Sequence, residues 1–306
     1  MSVDLRAAAA EWLSDRRARG YLLADHDRLV AAFLDGLAAR GATTITVAGA
    51  LAFAQDRPGT DRRWHAARLR VVRGLAAHVH ALDPAAAELV PAGMIHAKVT
   101  RPIPYLYSND DVTRLMSVAA MMSPPILAAS MRTLIGLVAV TGMRSGEAVA
   151  LDVEDLSEGV LTVTGKYAKK RLVPVHPTTV EALARYQEIR ATRAAPGGPL
   201  LVGAKGGRLN LNWARTAFRR IADGCGLAAR PGCGAPRLHD LRHTFAVNSL
   251  IDAHRQGADV DARIATLATY LGHVEPVNTY WYLTASPELM AIVSERVSAC
   301  RLRRRP

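Results

Sequence analysis

A chain of 306 residues, half of them hydrophobic, has enough apolar material for two ordinary soluble domains, each with its own core. Lys and Arg exceed Asp and Glu by 39 to 27, a formal charge of +12 with a pI of about 10.2. That balance points to a polyanionic partner, nucleic acid first, unless it only reflects an arginine- and alanine-rich coding bias. Membrane and disulfide-scaffold classes are excluded. The most apolar run, Leu134 to Val140, is far too short to cross a bilayer, and the opening alanines, bracketed by Asp4, Arg6, Glu11 and Asp15, do not form a signal peptide. Cys225, Cys233 and Cys300 have no paired spacing, which fits a reducing, intracellular setting.

Apolar periodicity predicts helices over Leu5 to Arg19, Asp25 to Ala39, Val47 to Gln55 and Asp61 to Leu82, with Gly and Pro at the joints. In the fourth, Trp64, Val71, Leu75 and Val79 fall near helical spacing and face a core. Arg62, Arg63, Arg68, Arg70 and Arg73 crowd the same helix. Such a run either meets DNA phosphates, with a subset at base edges, or forms a solvated face. Ala92 to Tyr107, with Pro102 and Pro104, carries no clear period and reads as a linker. It separates a helical domain over residues 1–100 from a second domain over 108–306.

The second domain opens on a capping-box pattern, Ser108 to Asp111, ahead of a helix through Leu115, Val118 and Met122 that Pro124 and Pro125 stop. Ile126 to Thr141 reads as a buried apolar helix ending at Gly142. Met143, Arg144, Ser145, Gly146 and Glu147 follow, and an arginine beside glycines can direct a bidentate fork at a phosphate. The β-rich runs Val160 to Thr164 and Arg171 to Val175 flank Gly165, Lys166, Tyr167, Ala168, Lys169 and Lys170, a hairpin with a basic tip. Pro174 puts its second strand at an edge. Helices over Thr178 to Ala194 and Asn212 to Ala222 come next, then one opened by Arg237 to Phe245 that runs to about Gln256, and one over Val260 to Leu271. His239 and Arg242, three apart, share a helix face.

The stretch Leu271 to Leu283 reads LGHVEPVNTYWYL. Gly272 caps the preceding helix, His273 follows at the turn, and Pro276 suits the first turn of a short new helix. Tyr280 and Tyr282 on that helix point in nearly opposite directions at ~100° per residue. A phenol with a pKa near ~10 is a poor nucleophile unless cations or hydrogen-bond donors stabilise its phenoxide. Only a tyrosine facing such groups can react. His239 and His243 stand at metal-ligand spacing, with His273 as a third candidate. Asp240 replaces the glutamate of HExxH, however, and Arg242 would repel a dication, so no metal is expected. Glu147 reads as ion-pair support for Arg144, and Asp240 and His243 as capping and packing groups. The tail Arg301 to Arg305 reads either as a frayed basic end or as a docking segment.

In this order and at these separations, TGMRSGE, TGKYAKKRLVPV, HDLRHTFA, LGH and TYWYL resemble the tyrosine recombinase, or phage integrase, family. The resemblance runs by motif from Ser108 to the C-terminus and by layout over the N-terminal helices. It implies a mainly α fold, with a helical core-binding domain that clamps DNA (1–100) and a mixed α/β catalytic domain, mostly helical with a small antiparallel sheet (108–306). Matched residue by residue, Arg144 stands at the first catalytic arginine and Glu147 at the acid that buttresses it. Lys166 stands at the hairpin lysine, His239 and Arg242 at the HxxR pair, and His273 at the second histidine or tryptophan position. Tyr282, nine residues after His273, stands at the nucleophile. Tyr167 and Ala168 replace the smaller residues usual in that hairpin, which keeps Lys166, Lys169 and Lys170 as alternatives for the lysine in the site.

The implied activity is site-specific recombination of double-stranded DNA. Tyr282 attacks phosphorus in line, expels the 5′-oxygen and retains a 3′-phosphotyrosine, with neither metal nor nucleotide cofactor. Arg144 and Arg242, with His239 and His273 as donors, would hold the charge that gathers on the non-bridging oxygens, where one donor is typically worth ~10²–10³ in rate. Lys166 would protonate the leaving oxygen, a role worth ~10²–10⁴, and His239 is the alternative acceptor of the tyrosine proton. Arg62, Arg63, Arg70, Arg73, Lys169 and Lys170 are the expected DNA contacts. The implied assembly is a homotetramer on two paired sites, alone or with related recombinases, in the cytoplasm at the nucleoid and away from membranes. The closing VNTYWYL and SPEL segments look most like transposon-borne members. A type IB topoisomerase-like activity and a non-catalytic DNA-binding accessory role are the alternatives.

Overall fold

A computed structural model of the chain describes residues 3–21, 23, 25–57, 61–97, 103–165, 169–231 and 233–272. The chain divides into two compact units, Met1–Arg101 and Pro102–Pro306.

Three of the described helices of the first unit start where the sequence supplies a capping oxygen. Asp4 accepts the Arg6 and Ala7 N–H groups at the head of α1 (Leu5–Ala18), Thr46 that of Gly49 at the head of α3 (Val47–Gln55), and Asp61 that of Arg63 at the head of α4 (Arg62–Leu82). Between them lies α2 (His26–Ala38). The central element is α4, whose Leu69, Val72, Leu75, Ala76 and Val79 are buried in one cluster with Trp12, Phe33 and Phe53 of the other three helices. Gly74 lets α1 approach, because a Cβ there would lie 2.7 Å from the Trp12 ring.

Arg68 departs from the basic face expected of α4. It is buried, pairs with Asp56 at 2.7 Å and stacks 4.1 Å from the Phe53 ring centre, so it packs the unit from within. Arg62, Arg63 and Arg70 are exposed and Arg73 is half-buried, with Arg63 paired to Asp61.

In the second unit, the end of the stretch expected to be a linker is core. Tyr105 and Tyr107 are buried with ring centres 4.9 Å apart, and the Tyr107 hydroxyl donates to the Arg237 carbonyl at 2.9 Å. Two aromatic anchors, rather than a repeat, organise this irregular segment. The capping box at α5 (Asn109–Ala120) forms as expected: the Ser108 hydroxyl accepts the Asp111 N–H and the Asp111 carboxylate accepts the Ser108 N–H, each at 3.0 Å. The apolar helix α6 (Pro125–Thr141) ends on Gly142, at φ 62°, where a Cβ would fall 2.3 Å from the Phe245 ring.

After α7 (Ser145–Ala150) and a 3₁₀ turn at Val153–Asp155 comes an antiparallel sheet of β1 (Leu156–Ser157), β2 (Val160–Thr164) and β3 (Lys170–Pro174), in that order. Leu161 faces Val173 across the ladder, and Val163 faces Arg171. At two residues β1 is too short to carry a period, and it pairs through a turn with positive φ at Glu158 (48°) and Gly159 (75°). β3 is an edge strand, as Pro174 requires.

Helices α8 (Pro177–Arg190), α9 (Leu211–Gly224), α10 (Asp240–Arg255) and α11 (Val260–Leu271) complete the described part. α6 packs against α5, α8 and α10. α8 stops short of the expected Ala194, and Arg190 turns its guanidinium to the carbonyls of Ala195 (2.6 Å), Gly197 (2.7 Å) and Pro199 (3.0 Å), organising the loop beyond. The fold is mainly helical with one small antiparallel sheet. Among the described residues no helix is long and apolar enough to cross a membrane.

Candidate active site

Gly142 stops α6 and leaves Arg144 extended (φ −67°, ψ 140°) at the head of α7. Three residues on, Glu147 accepts the Arg144 backbone N–H at 2.9 Å and its Nη1 at 2.8 Å, so one carboxylate both caps the helix and fixes the arginine. Its other partner is Arg171 on β3, with Nη2 at 2.6 Å from Oε2 and Nη1 at 3.2 Å from Oε1. Burial pushes the Glu147 pKa up, but hydrogen bonds from Arg171 and Arg144 outweigh it and hold the carboxyl at about 2.

Three arginines from separate segments converge on the end of α11. Arg171 Nε donates to the Tyr270 carbonyl at 2.9 Å, Arg242 Nη2 to that of Leu271 at 2.8 Å, and Arg144 Nη2 to that of Gly272 at 3.3 Å. These are carbonyls that a helix leaves unpaired at its C-terminus, where its dipole favours cations. Gly272 takes the left-handed cap at φ 68°. Arg242 also donates to the Gly142 carbonyl at 2.8 Å, which joins the ends of α6 and α11. Exposure separates the three: Arg242 is 1% exposed, whereas the side chains of Arg171 and Arg144 are 15% and 32% exposed. Arg144 is the guanidinium most open to a ligand.

His239 stands at the N-cap position of α10, three residues before Arg242 and exposed to solvent, without a side-chain capping bond, and its ring centre lies 4.9 Å from that of His243 at 85°. Its pKa is lowered to about 4, by loss of hydration and by repulsion from Arg242, Arg237, Arg144 and Arg215. Because solvent reaches the residue, the four cations are the firmer cause of that direction. A neutral imidazole follows at pH 7, able to donate from one nitrogen and accept at the other. Asp240 is fully buried, accepts the Arg237 backbone N–H at 3.0 Å and pairs with the Arg237 guanidinium at 2.7 Å. Among the described residues no three His, Cys, Asp or Glu side chains gather as a metal site.

The structure thus brings Arg144 and Arg242 to the end of α11, with Glu147 bonded to Arg144 and His239 within electrostatic reach of both arginines. Lys169 and Lys170 are exposed at the hairpin, whose root is closed by the Gly165 N–H donating to the Lys169 carbonyl at 2.8 Å. Lys166, His273, Tyr280, Tyr282, Cys300 and Arg301 to Arg305 lie outside the described residues. Arg62, Arg63, Arg70 and Arg73 belong to the first unit.

Sequence reasoning missed Arg171 and Arg215. A signal for Arg171 existed: residues i and i+2 of a strand share a face, so an inward Val173 turns Arg171 inward too, where a guanidinium needs an acid. Arg215, exposed on α9, had no signal of that kind, because its effect on His239 comes from tertiary proximity.

The phage integrase family model matches residues 106–288, more than half of the chain. A protein of Sinorhizobium fredii named integrase/recombinase y4rB is 36% identical over 304 residues, 95% of this chain and 96% of its own length. Among solved structures, a lambda integrase tetramer bound to a Holliday junction gives a TM-score of 0.57 at 18% identity, over 92% of this chain and 77% of that one. The Tn1549 transposon integrase in complex with transposon right end DNA gives 0.61 at 14% identity, over 95% and 99%. These two likenesses establish the fold, and the family match with the near full-length relative establishes the lineage: the chain belongs to the phage integrase family and is a tyrosine recombinase, an enzyme of site-specific DNA recombination.

Proposed function

We propose that this recombinase cleaves and rejoins double-stranded DNA through Tyr282, forming a 3′-phosphotyrosine and releasing a 5′-hydroxyl without metal or nucleotide. The observation that carries the reading is the convergence of Arg144, Arg171 and Arg242 on the carbonyls of residues 270–272, immediately before His273 in the chain. Attack on a phosphodiester gathers negative charge on its non-bridging oxygens, and preorganised cations at that point lower the barrier most. Arg144, open to solvent and braced by Glu147, is built to offer a fork to one such oxygen. Arg242, with its Nη atoms on the Gly142 and Leu271 carbonyls, is held in a fixed orientation beside the end of α11.

In this reading His239 takes the Tyr282 proton or donates to phosphate, and His273 is a further donor. Lys166 protonates the leaving 5′-oxygen, with Lys169 and Lys170 as the alternatives. The first unit clamps the duplex through Arg62, Arg63, Arg70 and Arg73. The working assembly is a homotetramer on two paired sites in the cytoplasm at the nucleoid, alone or with related recombinases. Family membership and the lambda tetramer on a four-way junction support this assembly, and the Tn1549 likeness supports a mobile-element role. The test is exchange of differently labelled ends between two duplexes carrying a site recovered from genomic fragments that stay protein-bound after denaturation. Exchanged ends are expected. Relaxation of supercoils without exchange would instead indicate a topoisomerase, and binding without cleavage an accessory protein.

A further inference from the structure

We infer that Arg171 is a positioning residue of the strand-transfer site: it holds Glu147 so that Arg144 keeps both its direction and its net positive charge. The inference rests on the reaction proposed above and adds a residue to it.

Both oxygens of Glu147 serve both arginines. Oε1 accepts Arg144 Nη1 at 2.8 Å and Arg171 Nη1 at 3.2 Å, while Oε2 accepts the Arg144 N–H at 2.9 Å and Arg171 Nη2 at 2.6 Å. One carboxylate between two guanidiniums leaves a unit of positive charge in the group. Without Arg171, Glu147 would neutralise Arg144 alone and could swing off the backbone N–H that sets its angle.

Arg171 also makes contacts that a simple counter-ion for Glu147 would not need. Its Nε holds the Tyr270 carbonyl at 2.9 Å, and its Nη1 lies 3.1 Å from where a Gly272 Cβ would stand. On the hairpin side, a Cβ on Gly165 would lie 3.6 Å from the same Nη1 and 3.7 Å from Glu147 Oε1. One side chain therefore touches the hairpin root, the acid beneath Arg144 and the last turn of α11. A lysine, with a single point charge, cannot fork onto a carboxylate and hold a carbonyl through a second nitrogen.

The test measures single-turnover covalent adduct formation on two nicked suicide substrates. One carries the ordinary scissile phosphate, and the other a methylphosphonate in which a methyl group replaces one non-bridging oxygen and removes the charge. A group that serves to hold that charge matters less on the neutral substrate. Arg171→Lys is expected to slow the phosphate reaction by ~10–10² and Arg171→Gln by ~10²–10³, with both deficits shrinking to a few-fold on the methylphosphonate, the pattern also expected of Arg144→Ala. Equal losses on the two substrates, or no loss on either, would overturn the role of Arg171. If Arg144→Ala itself shows no preference for the neutral substrate, the reading of Arg144 fails instead, which keeps the two failures apart. Arg171→Gln retains a donor towards Glu147 and carries the test alone should the lysine variant not fold.

Discussion

Arg144 and Arg242 donate to adjacent carbonyls, Gly272 at 3.3 Å and Leu271 at 2.8 Å, although one enters from the head of α7 and the other from α10. Each is also tied at a second point, Arg144 to Glu147 and Arg242 to the Gly142 carbonyl. The two guanidiniums are therefore set in register with each other at the end of α11. Their charge is fixed in place before any ligand arrives, which is what stabilising a transition state requires.

Arg242 has a structural load distinct from any role on phosphate. Arg242→Ala leaves two buried carbonyls without this donor and opens a void, and is expected to destabilise the second unit by about 2–5 kcal/mol. Arg242→Lys should lose less. Urea unfolding midpoints of the two variants check the order.

Glu147 should dominate part of the acid limb of stability. Its folded pKa is depressed from 4.5 to about 2, so its contribution is full above pH 4.5 and is lost as pH falls towards 2. A shift of that size corresponds to roughly 3 kcal/mol. Glu147→Gln is expected to flatten the stability curve over that window, measured by denaturant titration at successive pH values; an unchanged acid limb would contradict the buried ion pair.

His239 is expected to be neutral throughout the working range, titrating near pH 4. Because its folded pKa is lowered, the unfolded chain takes up the proton first, and stability falls as pH drops from about 6.5 towards 4. Ring-proton NMR of His239 should show a midpoint well below 6. His239→Gln, which keeps a hydrogen-bond donor but does not titrate, should retain more cleavage than His239→Ala.

The arginines of α4 should split into two classes. Arg70→Ala and Arg73→Ala are expected to weaken DNA binding uniformly across sequences, and each should reduce the salt slope by about 1 through the phosphate it no longer neutralises. Arg68→Ala should instead lower the melting temperature, because Arg68 is buried on Asp56 and Phe53. A fall in affinity for Arg68→Ala at unchanged stability would reverse this assignment.

What was legible in the sequence follows locality. Helix starts could be read because their signals lie within a few residues, as in the capping box at Ser108. Arg144, Glu147, His239 and Arg242 entered through the resemblance of their motifs to the tyrosine recombinase family, spacing alone giving only that His239 and Arg242 share a helix face. The collar around α11 could not, because its acceptors are the backbone carbonyls of Tyr270, Leu271 and Gly272, and a carbonyl leaves no letter. Tyr105 and Tyr107 were missed for a related reason: each is anchored by groups far along the chain, at Arg230 and Arg237.

The most direct test identifies the residue that becomes joined to DNA. Protein trapped on a nicked suicide substrate is digested, and the peptide carrying the nucleotide is sequenced by mass spectrometry. The adduct is expected on Tyr282, absent from Tyr282→Phe and retained in Tyr280→Phe. An adduct on Tyr280, or one that persists in Tyr282→Phe, would contradict the account.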